Sequence, residues 1–170
     1  MAGWLPIGRI GDVPIRIHFS AFLGALFFSG FRFAPGAWLG FLVVILVHEL
    51  GHALIVKKTR KELLGVDIHA IGGECRWAGR ATPLERALIA WGGVWAQLAL
   101  LVIALPLYYL VAARLGSFGI QFFYALSFQS LILAAINLLP IPPLDGAEAW
   151  KLPGLLFERY KKRRSPGFRA

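Results

Sequence analysis

The chain has 170 residues, of which 58% are hydrophobic and only 16% charged; its formal net charge is +9 and its mean hydropathy +0.66. A soluble domain carries roughly 25% charged residues, so this balance excludes an ordinary water-soluble globule and points to lipid as the solvent. The basic residues lie in short clusters between apolar runs rather than on a stripe interleaved with aromatics, which argues against a nucleic-acid partner, and a single cysteine, Cys75, excludes an intrachain disulfide.

In chain order, residues 4–17 read as short extended segments broken at Gly8, Gly11 and Pro14, with Val13, Ile15 and Ile17 alternating at strand period. A first apolar stretch runs from Ile17 to Phe33; it is short for a span and holds His18 and Ser20, so it is tilted or begins as a non-helical segment. Arg9 and Arg16 precede it as in a signal peptide, but the prolines and glycines among them and the lack of a small-x-small site predict that it is retained. Further apolar stretches cover Ala37 to Val56, Leu88 to Ala113 and Ile120 to Leu139, and a helix of ~20 apolar residues crosses ~30 Å of hydrocarbon. Between the second and third, residues 66–78 predict a strand, a turn at Gly72-Gly73 and a second strand. Thr82-Pro83-Leu84-Glu85 predicts a helix start, with Thr as cap, Pro at the first position and Glu at the third.

The expected fold is therefore an all-α membrane bundle of about four transmembrane helices with a small cytoplasmic-side β-sheet or hairpin. It forms one domain over 1–170: strands in 1–17, spans one and two in 18–56, a basic loop and hairpin in 57–86, spans three and four in 87–146, and a basic tail in 147–170. With four spans, the N-terminus, the 57–86 loop and the C-terminus share one side. That side holds every basic residue except Arg32 and Arg114, which makes it cytoplasmic. The tail after Pro153 is expected to be disordered or to lie on anionic headgroups. Trp38, Trp77, Trp91, Trp95 and Trp150, with Tyr108 and Tyr109, read as interfacial or packing residues.

The second span carries the chemistry. His48 and His52 are four residues apart, so a helix puts both imidazoles on one face, where they can bind one metal; Glu49 beside them can act as general base. Lys57 lies nine residues beyond His48, about 13 Å along a helix, so the metal sits inside the bilayer in its cytoplasmic half. Ionisable groups at such depth cost at least ~2.5 kcal/mol each and are functional by default. A catalytic zinc takes three protein ligands and an open position. The candidates for the third are His18, His69, Asp67, Glu74 and Asp145. Asp145 can serve because Pro140, Pro142 and Pro143 break the preceding helix and Gly146 lets the chain turn back toward the bundle. Taken alone, Asp145 reads more readily as an ordinary Asp-Gly turn or helix cap at the membrane surface, and the motif context below tips the balance to a ligand. Cys75 has no evident base to activate it.

HELGH inside an apolar helix, then a GG hairpin, then N-x-x-P-x-P-P-L-D-G, resembles the site-2 protease family of intramembrane zinc metalloproteases, over nearly the whole chain. The resemblance implies that His48, His52 and Asp145 bind one zinc per chain, that Glu49 activates water and that Asn137 lies near the site. It also implies that the Gly72-Gly73 hairpin enters the membrane region beside the substrate. Two departures stand out. Where the family carries a pattern like AGPxAN, this chain has Gly92-Gly93-Val94-Trp95-Ala96-Gln97, so the amide at this position is Gln97 on a longer arm. Relatives with further spans or a regulatory domain after the LDG motif have no counterpart in this sequence. The expected function is a multi-pass membrane zinc endopeptidase cutting transmembrane protein or peptide substrates in the lipid bilayer. The alternatives are a non-catalytic zinc scaffold that binds transmembrane helices and a metal transporter, the latter disfavoured because the spans hold almost no other ionisable groups.

Overall fold

Three apolar helices dominate the computed structural model, which describes residues 3–164. Helix α2 (Pro35–Lys58) starts on a proline, whose fixed φ suits a first turn, and ends on Lys57 and Lys58, cations that suit a helix C-terminus. Helix α3 (Pro83–Leu110) starts at the expected capping box: Glu85 N–H donates to Thr82 Oγ1 at 3.2 Å, and Thr82 N–H donates to Glu85 Oε2 at 2.8 Å. The third runs from Ala112 to Asn137. It comprises a 3-10 turn, α4 (Gly116–Tyr124), a π-helical turn at Ala125–Gln129 and α5 (Ser130–Asn137). All three are long and apolar enough to cross a membrane.

The first apolar stretch differs from the four-helix expectation. Only α1 (Ala21–Phe28) is helical there, and its length of about 12 Å falls short of the hydrocarbon thickness. The cause is the sheet. Strands β1 (Trp4–Ile10) and β2 (Val13–His18) form a hairpin that turns at Gly11, where φ is +66°. Strands β3 (Glu62–His69) and β4 (Gly72–Ala78) form a second hairpin, and the two join in one sheet of order β1-β2-β3-β4. The junction is parallel, pairing Ile15 with Val66, Arg16 with Asp67 and Ile17 with Ile68. Ile17 and His18 are thus strand residues, and the chain enters the bundle beside the tip of the second hairpin. There Gly24 of α1 packs so closely on the Ala70 carbonyl that no Cβ would fit.

The second hairpin also corrects the expected turn. Ala70 and Ile71 make it, while Gly72 and Gly73 open β4, paired with His69 and Ile68; β3 begins at Glu62 rather than Val66. Asp67, 4% exposed, accepts from Arg16 Nε at 2.8 Å and Nη2 at 2.6 Å, and from Arg76 Nε at 2.8 Å. Burial alone would raise the pKa of this carboxyl, but the two guanidiniums hold it below the usual carboxylate range. One side chain so clamps β2, β3 and β4.

The apolar core is strung along α2: Phe41 and Ile45 meet Ile68 and Ala21, while Ala53 and Val56 meet Val66, Leu63 and Ile89. Val44 meets Ala104 and Leu126. Helices α2 and α3 touch at backbone distance where Gly51 faces Gly92; a Cβ on either would strike the other's carbonyl oxygen. After α6 (Gly146–Ala149) the tail, expected to be disordered or to lie on headgroups, is helix α7 (Leu152–Arg164), which lies beside α3 with Leu155 and Pro83 lining one groove. The rest of that tail, 165–170, lies outside the described residues.

Candidate metal centre

Helix α2 turns His48, Glu49 and His52 into the protein, where each is 5–6% exposed. The fourth element of the centre arrives by a loop. Past Asn137 the prolines end α5, and the chain folds back so that Gly146 packs on the Leu138 and Leu139 carbonyls. Two indoles pin this return: Trp150 Nε1 donates to Leu138 O at 2.6 Å and Trp91 Nε1 to Ala149 O at 2.9 Å. Asp145, at the start of α6, is thereby aimed at the imidazoles. Its Oδ2 lies 2.9 Å from His48 Nε2 and 3.2 Å from His52 Nε2, and the two Nε2 atoms are 2.9 Å apart.

The hydrogen bonds on the far side of each ring decide what this cluster can hold. His52 Nδ1 lies 2.7 Å from the Ile89 carbonyl oxygen, which can only accept, so Nδ1 carries the proton. His48 Nδ1 donates in the same way to Gln97 Oε1 at 3.0 Å. Each ring is thereby left with Nε2 facing the Asp145 carboxylate, three ligand-type atoms 2.9–3.2 Å apart. Ligands at 2.0–2.1 Å from a tetrahedral zinc lie about 3.3 Å from one another, close to the spacings seen, so the donor set fits zinc in number, type and distance. Among the described residues this is the one group of three or more His, Cys, Asp or Glu side chains whose ligand atoms converge, all within 4.8 Å.

Two glycines make room. A Cβ on Gly93 of α3 would fall on the rings of His48 and His52, and one on Gly73 of β4 would fall on the Glu49 side chain. The edge strand of the sheet therefore runs directly beside Glu49. Gly72, by contrast, faces open space. Asn137 Nδ2 is 3.3 Å from His48 Nε2, at the rim of the cluster. Gln97 is 2% exposed, and its Nε2 has no protein partner.

The other residues considered as third ligand stand apart. Asp67 is taken by Arg16 and Arg76, His18 Nδ1 lies 2.8 Å from Ser20 Oγ, and neither His69 nor Glu74 joins the converging group. Burial, reinforced by nearby carboxylates, pushes the Cys75 thiol up to about 12, away from the thiolate form a nucleophile needs. Gly93, the Ile89 carbonyl and the two indole clamps were not foreseen as parts of the centre. Paired glycines inside a span are a signal of close approach that could have found Gly93; a backbone carbonyl leaves no such mark.

Comparison with known proteins agrees with this geometry. No protein-family model matches the chain. Rip3 of Mycobacterium tuberculosis, described as a candidate zinc metalloprotease, is 29% identical over 163 residues in both strains Erdman and H37Rv, an alignment covering 84% of this chain and 41% of Rip3. The chain thus spans less than half the length of these relatives. The site-2 protease from Methanocaldococcus jannaschii superposes with a TM-score of 0.67 at 19% identity, over 92% of this chain and 73% of that one. The expected resemblance to site-2 proteases is supported by the likeness in fold to that structure and by the similarity in sequence to a zinc metalloprotease.

Proposed function

We propose that this chain, similar in sequence to a zinc metalloprotease and in fold to a site-2 protease, is an intramembrane zinc endopeptidase that hydrolyses peptide bonds in transmembrane segments of membrane proteins. The observation that carries the reading is the convergence of His48 Nε2, His52 Nε2 and Asp145 Oδ2 next to an unligated Glu49 inside apolar helices. These three side chains hold one zinc, which when bound polarises the scissile carbonyl and acidifies water. Glu49 takes the proton of the attacking water on its carboxylate and passes it to the leaving amine nitrogen. Gln97 fixes His48 in its Nδ1–H tautomer, a positioning role, and Asn137 supplies an amide at the rim.

The substrate must be extended to be cut. Strand β4 is an edge of the sheet with Gly73 against Glu49. An unwound transmembrane segment added to that edge would lay its backbone past the general base. In the bilayer, β1–β2, the 57–86 loop and α7 share one side, and the clustering of Lys and Arg there makes it cytoplasmic.

Zinc content of the purified, detergent-solubilised protein, with cleavage of a single-span model substrate, tests the proposal. The wild type should carry about one zinc per chain and cleave. His52→Ala and Asp145→Ala should lose the metal, and Glu49→Gln should keep it and be inactive. Zinc without cleavage by a folded wild type, across a panel of single-span substrates, would favour the scaffold reading. A folded, unchelated wild type without zinc would overturn both.

A further inference from the structure

Helix α7 has two unlike faces. Leu155, Glu158, Arg159, Lys162 and Arg163 line a groove shared with Thr82, Pro83 and Leu84, the cap and first turn of α3. At 100° per residue the opposite face carries Leu156, Phe157, Tyr160 and Arg164. The three apolar side chains of that face are 49%, 68% and 52% exposed. The Arg164 guanidinium stacks 4.7 Å over the Tyr160 ring, so cation and apolar surface share one side. Lys161, Lys162 and Arg163 complete a run of four cations at the helix end, and Glu158 is the helix's single acidic residue. The groove's other wall is the end of an apolar helix long enough to span a membrane, so α7 sits at the level where that helix leaves the hydrocarbon.

We infer that α7 docks on the surface of the bilayer, seating Leu156, Phe157 and Tyr160 at the boundary of headgroups and acyl chains while its basic run binds anionic lipid headgroups. The partner follows from complementarity of both kinds. An exposed apolar stripe flanked by long cationic side chains matches an interface in which stems are buried and charged ends reach phosphates.

The test uses the whole protein reconstituted in phosphatidylcholine bilayers, with and without a third of the lipid as phosphatidylglycerol. An environment-sensitive fluorophore is placed at Phe157→Cys in a Cys75→Ala background. With phosphatidylglycerol, its emission should shift to the blue, lipid-borne nitroxides should quench it and aqueous acrylamide should not. Changing Lys161, Lys162, Arg163 and Arg164 together to Gln should weaken docking by roughly fivefold for each cation removed. High salt should weaken it in the unaltered helix, a second measurement that does not depend on how the variant folds. A fluorophore open to acrylamide in anionic bilayers would overturn the proposal. Lipid quenching that is equal in both bilayers and indifferent to salt would overturn it as well.

Discussion

Adding one methyl group to the wall of the metal centre, Gly93→Ala, probes the site's geometry most directly. The new Cβ would fall on His48 Cε1 and lie 2.6 Å from His52 Nε2 and 2.7 Å from His48 Nδ1, where ordinary contact begins at 3.4 Å. The imidazoles must therefore withdraw by about 0.8–1 Å, against a tolerance of roughly 0.2 Å in metal–ligand distance. Moving α3 away instead would open the close packing of Gly92 on Gly51. Overpacking of this kind costs about 1–3 kcal/mol. If that is relieved by giving up ligand geometry, zinc affinity falls about 5- to 150-fold. Competition against a chromogenic chelator in detergent measures this, with Gly154→Ala, whose Cβ meets nothing within 4 Å, as the control. A folded Gly93→Ala protein that binds zinc within twofold of wild type would refute the placement of the two rings against α3.

Gln97→Leu should lower zinc affinity by about 10- to 100-fold, because His48 loses the acceptor that fixes its tautomer; Gln97→Glu, which keeps an acceptor, should recover part of it. Unchanged affinity in Gln97→Leu would leave the amide as a helix–helix contact only. Asp67→Asn should flatten the acid side of the stability profile. The folded pKa of Asp67 is depressed, so its contribution is present above the unfolded pKa of about 3.9 and is lost as pH falls through the lower folded value. Melting temperatures in detergent between neutral pH and pH 2 would show a steeper acid loss in wild type than in the variant. Chelation should lower the melting temperature of wild type, since a ligand bound only to the folded state stabilises it, and should leave His52→Ala unmoved.

Much of this protein is legible in its amino-acid sequence. The three long spans follow from apolar length, the start of α3 from Thr82 and Glu85, and the pairing of His48 with His52 on one face from helical period alone. Each is local, set by a few consecutive residues and the backbone geometry they prefer. Where neighbours in space override neighbours in sequence, local patterns mislead. Residues 17–33 form an apolar stretch that suggests a span, yet only Ala21–Phe28 is helical, because β3 offers a parallel partner for β2 through Ile17. Gly72 and Gly73 have turn chemistry, yet Gly73 is needed where β4 passes Glu49. Leu152–Arg164 ends in four consecutive cations and reads as a solvated tail, yet it is a helix lying beside the first turn of α3.

The sequence by itself determined the apolar character of the chain and the pairing of His48 and His52 on one helix face beside Glu49, because composition and i, i+4 spacing act through the backbone at short range. Only the tertiary structure decided that Asp145, and not His69 or Glu74, closes on His48 and His52, that Gln97 turns to an imidazole, and that two glycines hold the space around the site. Those facts depend on where separate helices and a proline-broken loop meet, and packing across long loops is set by the shape of the whole core rather than by any stretch of the chain.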